Sequence, residues 1–320
     1  MNITSLEELV FGVDDLAACT DFLTNMGLEV IAQDATGGQF LAEDGSGITI
    51  RARDDVRLPI PLGTNSMLRE TVYGVADQSV IDEISAEIKK DRDVTVFADG
   101  SIGFYDDMGF ALRMRISQRR PLAVPPEALL NIPASQHGRG VNVTGVVRGA
   151  LAARPRTLSH VVYFVPNISE AEAFYINRLG FRCTDRFSDV GPFLRPAGMT
   201  DHHALFLIQT PPHMKGIEHF AFHMASPSQV LAAGTQMVER GFQSFWGPGR
   251  HIFGSNWFWY FNCPMGCHAE FDADMDQHDD QWVPRTAQMG PDASQSYLFQ
   301  YRAKWAPGGP PPNAKPNAAP

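Results

Sequence analysis

The sequence is poor in several features that mark whole classes of protein. It has four cysteines in 320 residues, Cys19, Cys183, Cys263 and Cys267. That is too few for the disulfide framework of a small secreted domain. Cys263 and Cys267 flank a Pro-Met-Gly turn, but no second pair completes a zinc site, so all four are expected to be thiols acting as small buried hydrophobes. Basic charge is scarce: 26 Lys and Arg stand against 36 Asp and Glu, a net charge of −10. A nucleic-acid partner, which needs a basic face, is thereby excluded. No apolar run approaches the roughly 20 residues that span a bilayer. The first residues show no basic stretch followed by an apolar one, so no signal peptide is expected. The default is a soluble cytoplasmic protein without a membrane partner.

What is present is an ordinary globular composition, 44% hydrophobic and 19% charged, in a chain long enough for two cores. An internal repeat organises it. Leu6 to Asp15 reads like Leu158 to Asn167, each a short apolar strand ending in turn residues. Helical stretches follow at 16–26 and 169–179, closed by Gly27 and Gly180. Each half then offers a second strand and helix, 68–75 with 78–90 and 217–224 with 228–240. Each half closes on a hairpin, at Met108-Gly109 and at Met265-Gly266. The expectation is an α+β protein of four βαβββ units paired into two domains, 1–117 and 158–305. Residues 118–157 read as a linker with a short strand near 141–147. Residues 306–320, rich in Pro, Gly, Ala and Asn, read as a disordered tail.

Three side chains of the second half form a candidate metal set. His160 lies on its first strand, His219 at the matching place of the second unit, and Glu270 on the last strand. Three strands bring such residues together only if the sheet curls around a common interior, since alternate side chains share a face. Two neutral imidazoles and one carboxylate leave open positions on one side of a divalent ion, the ligand set of non-heme iron(II) oxygen chemistry. His223 shares a face with His219, and spacing alone does not choose between them. Aligning the halves sets Glu8 against His160, Glu70 against His219 and Arg113 against Glu270. The first half is therefore expected to be metal-free, with Arg113 satisfying Glu8 and Glu70 as an ion-pair cluster.

Gly249-Arg250-His251, Tyr260 nine residues after the histidine, and Pro264-x-Gly266 leading to Glu270 ten residues after the tyrosine form an unbroken pattern. With His202-His203-Ala204-Leu205-Phe206 before it, the chain resembles the two-domain type I extradiol ring-cleavage dioxygenases of the vicinal oxygen chelate superfamily. The resemblance covers most of the second half and, more weakly, the first. It implies a metal site in the barrel of the second domain, with His160, His219 and Glu270 holding Fe(II), or Mn(II). It implies His203, His251 and Tyr260 as catalytic groups, a catechol and O2 as substrates, and a homo-oligomer. The residues after His251 depart from the family pattern, and 256–259 is unusually aromatic.

Some placements stay open at this level. His202 is expected to point away from the site and His268 to pack or hydrogen-bond beside it. Phe245, Trp246, Phe253, Trp257, Phe258 and Trp259 could line an apolar pocket or fill the core. The rival functions are a glyoxalase-type isomerase or lyase on the same scaffold, and a binding module without catalysis.

Overall fold

Four times along the chain a strand, a helix and three further strands follow one another. A computed structural model describes residues 1–123, 131, 138–144 and 153–299. The first unit runs β1 (Ile3–Val13), α1 (Leu16–Asn25), β2 (Glu29–Asp34), β3 (Gly37–Leu41) and β4 (Gly47–Ala52). The second runs β5 (Leu68–Val75), α2 (Gln78–Ile88), β6 (Thr95–Val96), β7 (Ile102–Tyr105) and β8 (Ala111–Ile116). The third runs β9 (Thr157–Val165), α3 (Ile168–Leu179), β10 (Phe181–Phe187), β11 (Gly191–Pro196) and β12 (Leu205–Gln209). The fourth runs β13 (Gly216–His223), α4 (Pro227–Glu239), β14 (Ser244–His251), β15 (Trp257–Cys263) and β16 (Cys267–Ala273).

Local chemistry sets the helix starts. Asp15, Asp77, Asn167 and Ser226 each accept a hydrogen bond from a backbone N–H of the helix they precede. That satisfies one of the donors a first turn leaves unpaired. The expected glycine after α3 holds the left-handed cap conformation, Gly180 at φ +74°. Gly234 on α4 has a packing reason. A Cβ there would come within 2.0 Å of the Trp259 ring, so only glycine lets the helix lie this close to β15.

The strands form two sheets, ordered β2-β3-β4-β1-β5-β8-β7-β6 in the first half and β10-β11-β12-β9-β13-β16-β15-β14 in the second. In each, the first strands of two units pair antiparallel at the centre, and each of them pairs parallel with the last strand of its own unit. One apolar core joins the halves. Phe110 stacks on Tyr163 at 4.1 Å, and the Tyr163 hydroxyl meets Thr71 Oγ1 at 2.5 Å. Beyond the repeat, β17 (Arg285–Ala287) adds to the outer edge at β10 and β18 (Gln295–Leu298) to the opposite edge at β14. Neither strand was anticipated from sequence.

The strand expected near 141–147 is not found where it can be checked: Val141 to Thr144 are turn and coil, and 145–147 lie outside the described residues. The tail at 306–320 also lies outside them.

Candidate metal centre

Strand register builds the site. His160 on β9 pairs with Ala221 on β13, Ala221 with Glu270 on β16, Glu270 with Tyr260 on β15, and Tyr260 with Trp246 on β14. Directly paired residues share a face, so this row runs across five strands on one side of the sheet. His219, two residues before Ala221, shares that face. The three expected ligands therefore converge. His160 Nε2 lies 3.2 Å from His219 Nε2 and 3.1 Å from Glu270 Oε2, and His219 Nε2 is 3.4 Å from the same oxygen.

The donors fit a divalent ion. Sides of 3.1–3.4 Å suit a triangle of atoms around an ion at about 2.1 Å from each. Glu270 is fully buried, and neither carboxylate oxygen receives a hydrogen bond. A buried carboxylate without donors is costly unless a cation matches it. Burial alone would raise its pKa, but the imidazoles of His160, His251 and His219 outweigh that and hold it well below the usual carboxylate range.

The outward nitrogens of both imidazoles are engaged, which orients them. His219 Nδ1 donates to Glu218, whose other oxygen accepts from His268 Nδ1 at 2.7 Å. His160 Nδ1 meets Ser159 Oγ at 2.9 Å, and that hydroxyl donates to Asp272 at 3.2 Å. Both rings thus present a bare Nε2 to the centre. His223, the competing candidate, is held by Asp272 at 2.8 Å and Asp201 at 3.4 Å, away from the cluster. Burial lowers its pKa, but those carboxylates outweigh it and lift it to about 10.

His203, His251 and Tyr260 line the same cavity, of about 320 Å³. The His203 ring lies 4.3 Å from that of His160, and burial among neighbouring imidazoles pushes its pKa well below normal. His251 Nδ1 donates to the Ser294 carbonyl at 2.9 Å, which leaves Nε2 to accept from the Tyr260 hydroxyl at 3.3 Å. His202 points away from the cavity, as expected, but it is not idle. It is fully buried and stands between His203 and Asp185. His268, as expected, hydrogen-bonds beside the site and stacks on Phe245.

The aromatic residues divide. Phe245, Trp246 and Phe253 line the cavity with Val162, Phe193 and Phe206, whereas Trp259 is core beneath α4 and Trp257 packs on Tyr297 outside. Glu218, Asp185 and Asn256 were missed. Glu218 carried a signal, being next to His219. Asp185 and Asn256 carried none, because tertiary contacts bring them in. Asn256 is 1% exposed, lines the cavity, and neither atom of its amide has a partner.

In the first sheet, register puts Arg113 opposite Val72 and Val72 opposite Glu8, so Arg113 matches Glu270 in backbone position. The expected cluster is nonetheless corrected. The Arg113 guanidinium turns to Asp99 and Ser101 and stacks over Phe97, while Arg115 takes Glu8 at 3.2 Å. The reason is reach: Asp99 and Ser101 lie in the turn just before β7, the neighbouring strand, and give Arg113 partners nearer solvent.

Residues 157–271 match the family model described as the Glyoxalase/Bleomycin resistance protein/Dioxygenase superfamily. The chain is also 35% identical over 179 residues to metapyrocatechase 2 of Cupriavidus necator, covering 56% of this chain and 54% of that relative. The match thus spans about half the relative's length. It is 25% identical over 299 residues to biphenyl-2,3-diol 1,2-dioxygenase of Paraburkholderia xenovorans, covering 88% of this chain and 92% of the relative. In fold it is similar to a Mn(II)-bound glyoxalase from Novosphingobium aromaticivorans, with TM-score 0.72, 21% identity, and coverage of 96% and 97%.

Proposed function

We propose that the protein is an extradiol dioxygenase, which opens the ring of a catechol beside its two hydroxyl groups and places both atoms of O2 in the product. The carrying observation is that His160, His219 and Glu270 converge with unpaired donor atoms at one end of a cavity that also presents His203, His251 and Tyr260. The relatives named for metapyrocatechase and biphenyl-diol dioxygenase activity support the same reading.

Fe(II) is the proposed ion, with Mn(II) compatible with the same donors. A divalent ion bound there supplies charge that acidifies bound hydroxyl groups and a point where diol and O2 are held together. The chain's own groups do the rest. His251 fixes the Tyr260 hydroxyl, whose oxygen is left to meet a substrate hydroxyl. His203 faces the other side and handles protons as oxygen charge develops. The aromatic walls exclude water and hold the ring. We place this activity in the cytoplasm, in aromatic-compound catabolism, in a homo-oligomer. No helix among the described residues is long and apolar enough to cross a membrane.

The test is anaerobic loading with Fe(II), or with Mn(II), followed by a panel of catechols and air. The expected result is a yellow ring-fission product with one O2 consumed per ring opened. Absence of O2 uptake with every catechol, or O2-independent turnover of a thiol adduct in the manner of a glyoxalase, would overturn the assignment.

A further inference from the structure

Behind His203 lies a chain of buried groups that reaches the far edge of the sheet. His202 Nδ1 meets His203 Nδ1 at 2.9 Å, and His202 Nε2 meets Asp185 Oδ2 at 2.9 Å. Asp185 and His202 are both 0% exposed. Asp185 is clamped in turn by Arg285 of β17. Its Oδ1 accepts from the Arg285 backbone N–H at 2.8 Å, its Oδ2 accepts from Arg285 Nη2 at 2.5 Å, and Nε lies 3.1 Å from each oxygen.

The direction of every hydrogen bond in this chain follows from its carboxylate end. An ionised carboxylate only accepts, so the proton between Asp185 and His202 sits on His202 Nε2. Arg285 already matches the Asp185 charge, and a second buried cation on His202 would stand uncompensated, so His202 is neutral. A neutral imidazole with its proton on Nε2 has a bare Nδ1. The short contact between the two Nδ1 atoms needs one proton, and only His203 can carry it. His203 in its neutral form therefore has no proton on Nε2. That atom makes no hydrogen bond to the described protein, and its ring lines the cavity.

We infer that Asp185 and His202 are positioning residues that lock His203 in the tautomer with a bare Nε2, so that His203 meets its substrate first as a proton acceptor. This rests on the dioxygenase reading above for the identity of the substrate, but not for the tautomer. The step balances simply. A catechol O–H bond breaks, an Nε2–H bond forms, and the Nδ1–H bond to His202 stays in place. The imidazolium then returns the same proton to an oxygen of the product. No donor role falls to Nε2 before it has taken a proton.

Substitution of Asp185 makes the inference sharp. In Asp185→Asn one of the two oxygens that Arg285 holds becomes an NH2 group, and the negative charge that keeps the His202 proton on Nε2 is gone. The His202 proton is then free to sit on either nitrogen, and the His203 proton is no longer confined to Nδ1. One substitution 17 positions away in sequence from His202 would thus release the whole chain.

The experiment is two-bond 1H–15N NMR of histidine rings in the full-length protein loaded with diamagnetic zinc, with His203→Phe assigning the signal. The expected wild-type result is protonated Nδ1 and bare Nε2 at His203. Asp185→Asn should give mixed tautomers at His203, retain metal, leave KM nearly unchanged and lower kcat in step with the fraction held in the other tautomer, a wrong tautomer being among the costlier faults of an acid–base histidine. Asp185→Glu should restore the wild-type tautomer. If Asp185→Asn does not fold, His202→Phe serves: it removes the acceptor and should leave His203 with mixed tautomers. A wild-type His203 protonated on Nε2, or a tautomer and kcat unmoved by these substitutions, overturns the inference. The tautomer is read without substrate, so failure to cleave any catechol would sink the proposed function and leave this result standing.

Discussion

Arg113 stands in the first sheet where Glu270 stands in the second, yet its guanidinium pairs with Asp99 at 2.9 Å and leaves Glu8 to Arg115. The Asp99 side chain is 56% exposed, whereas Glu8 and Glu7, which share Arg115, are buried. Arg113→Met is expected to cost about 1 kcal/mol or less, as exposed pairs do. Arg115→Met takes the cation from buried Glu8, which keeps only the Thr49 hydroxyl, and weakens the charge set around Glu7, so it should cost more, roughly 2–3 kcal/mol. Urea unfolding of both variants ranks them. The opposite order would mean that Arg113 holds the degenerate site after all.

Metal stoichiometry follows from the same contrast. Among the described residues only the second sheet presents two imidazoles and a carboxylate, so one divalent ion per chain is expected. His219→Ala should lose it. Elemental analysis after loading and desalting reads this directly. Two equivalents in the wild type, or full occupancy in His219→Ala, would contradict the assignment.

His203 touches no ligand atom of the centre with its cavity-facing nitrogen, so binding and chemistry should separate there. His203→Phe is expected to keep metal and to bind catechol almost normally, while ring cleavage slows by about 10²–10⁴. Stopped-flow mixing of the anaerobic substrate complex with O2 isolates the step. An unchanged rate would leave His203 as scaffold.

Glu70 gives the fold a pH dependence of its own. Burial, with Glu8 adding and Arg113 and Arg115 opposing, raises its carboxyl to about 7 from an ordinary 4.5. Below pH 4.5 both folded and unfolded chains hold the proton, and Glu70 contributes nothing. Between 4.5 and 7 the unfolded chain loses it first, so stability falls as pH rises, by on the order of 2 kcal/mol in all. Glu70→Gln has no proton to lose. It should match the wild type near pH 4.5 and exceed it at pH 8 in urea midpoints. Equal midpoints at pH 8 would show that Glu70 ionises freely.

Asn256 is the polar exception in an apolar wall, with both amide atoms unpaired. A ligand group that hydrogen-bonds there gains what the protein leaves unmade. Asn256→Leu is expected to raise KM about tenfold for catechols carrying a hydrogen-bonding substituent, and to leave unsubstituted catechol unchanged. A uniform effect on both would make Asn256 structural.

The fourfold repeat and the convergence of His160, His219 and Glu270 were legible because both follow from periodicity. Apolar strands of period two and helices closed by glycine recur at matched positions in the two halves. Choosing His219 over His223 needed the repeat, and in the structure Asp272 and Asp201 hold His223 away from the cluster. What was not legible depended on where long side chains end. Arg113 has the right backbone place and the wrong partner. Asp185 meets Arg285 only because β17 returns to the edge at β10. Nothing in the local pattern of 285–287 announces a strand.

β17 and β18 sit on the two outer edges of the second sheet, and both come after the superfamily segment ends at residue 271. A designer who trims this domain to its family boundary would cut away the pieces that cover both margins. Bare strand margins pair with whatever they meet, so such a fragment should precipitate. It would also lose Arg285 from Asp185 and the Ser294 carbonyl from His251. Any graft or chimera of this domain should therefore carry the chain through residue 299.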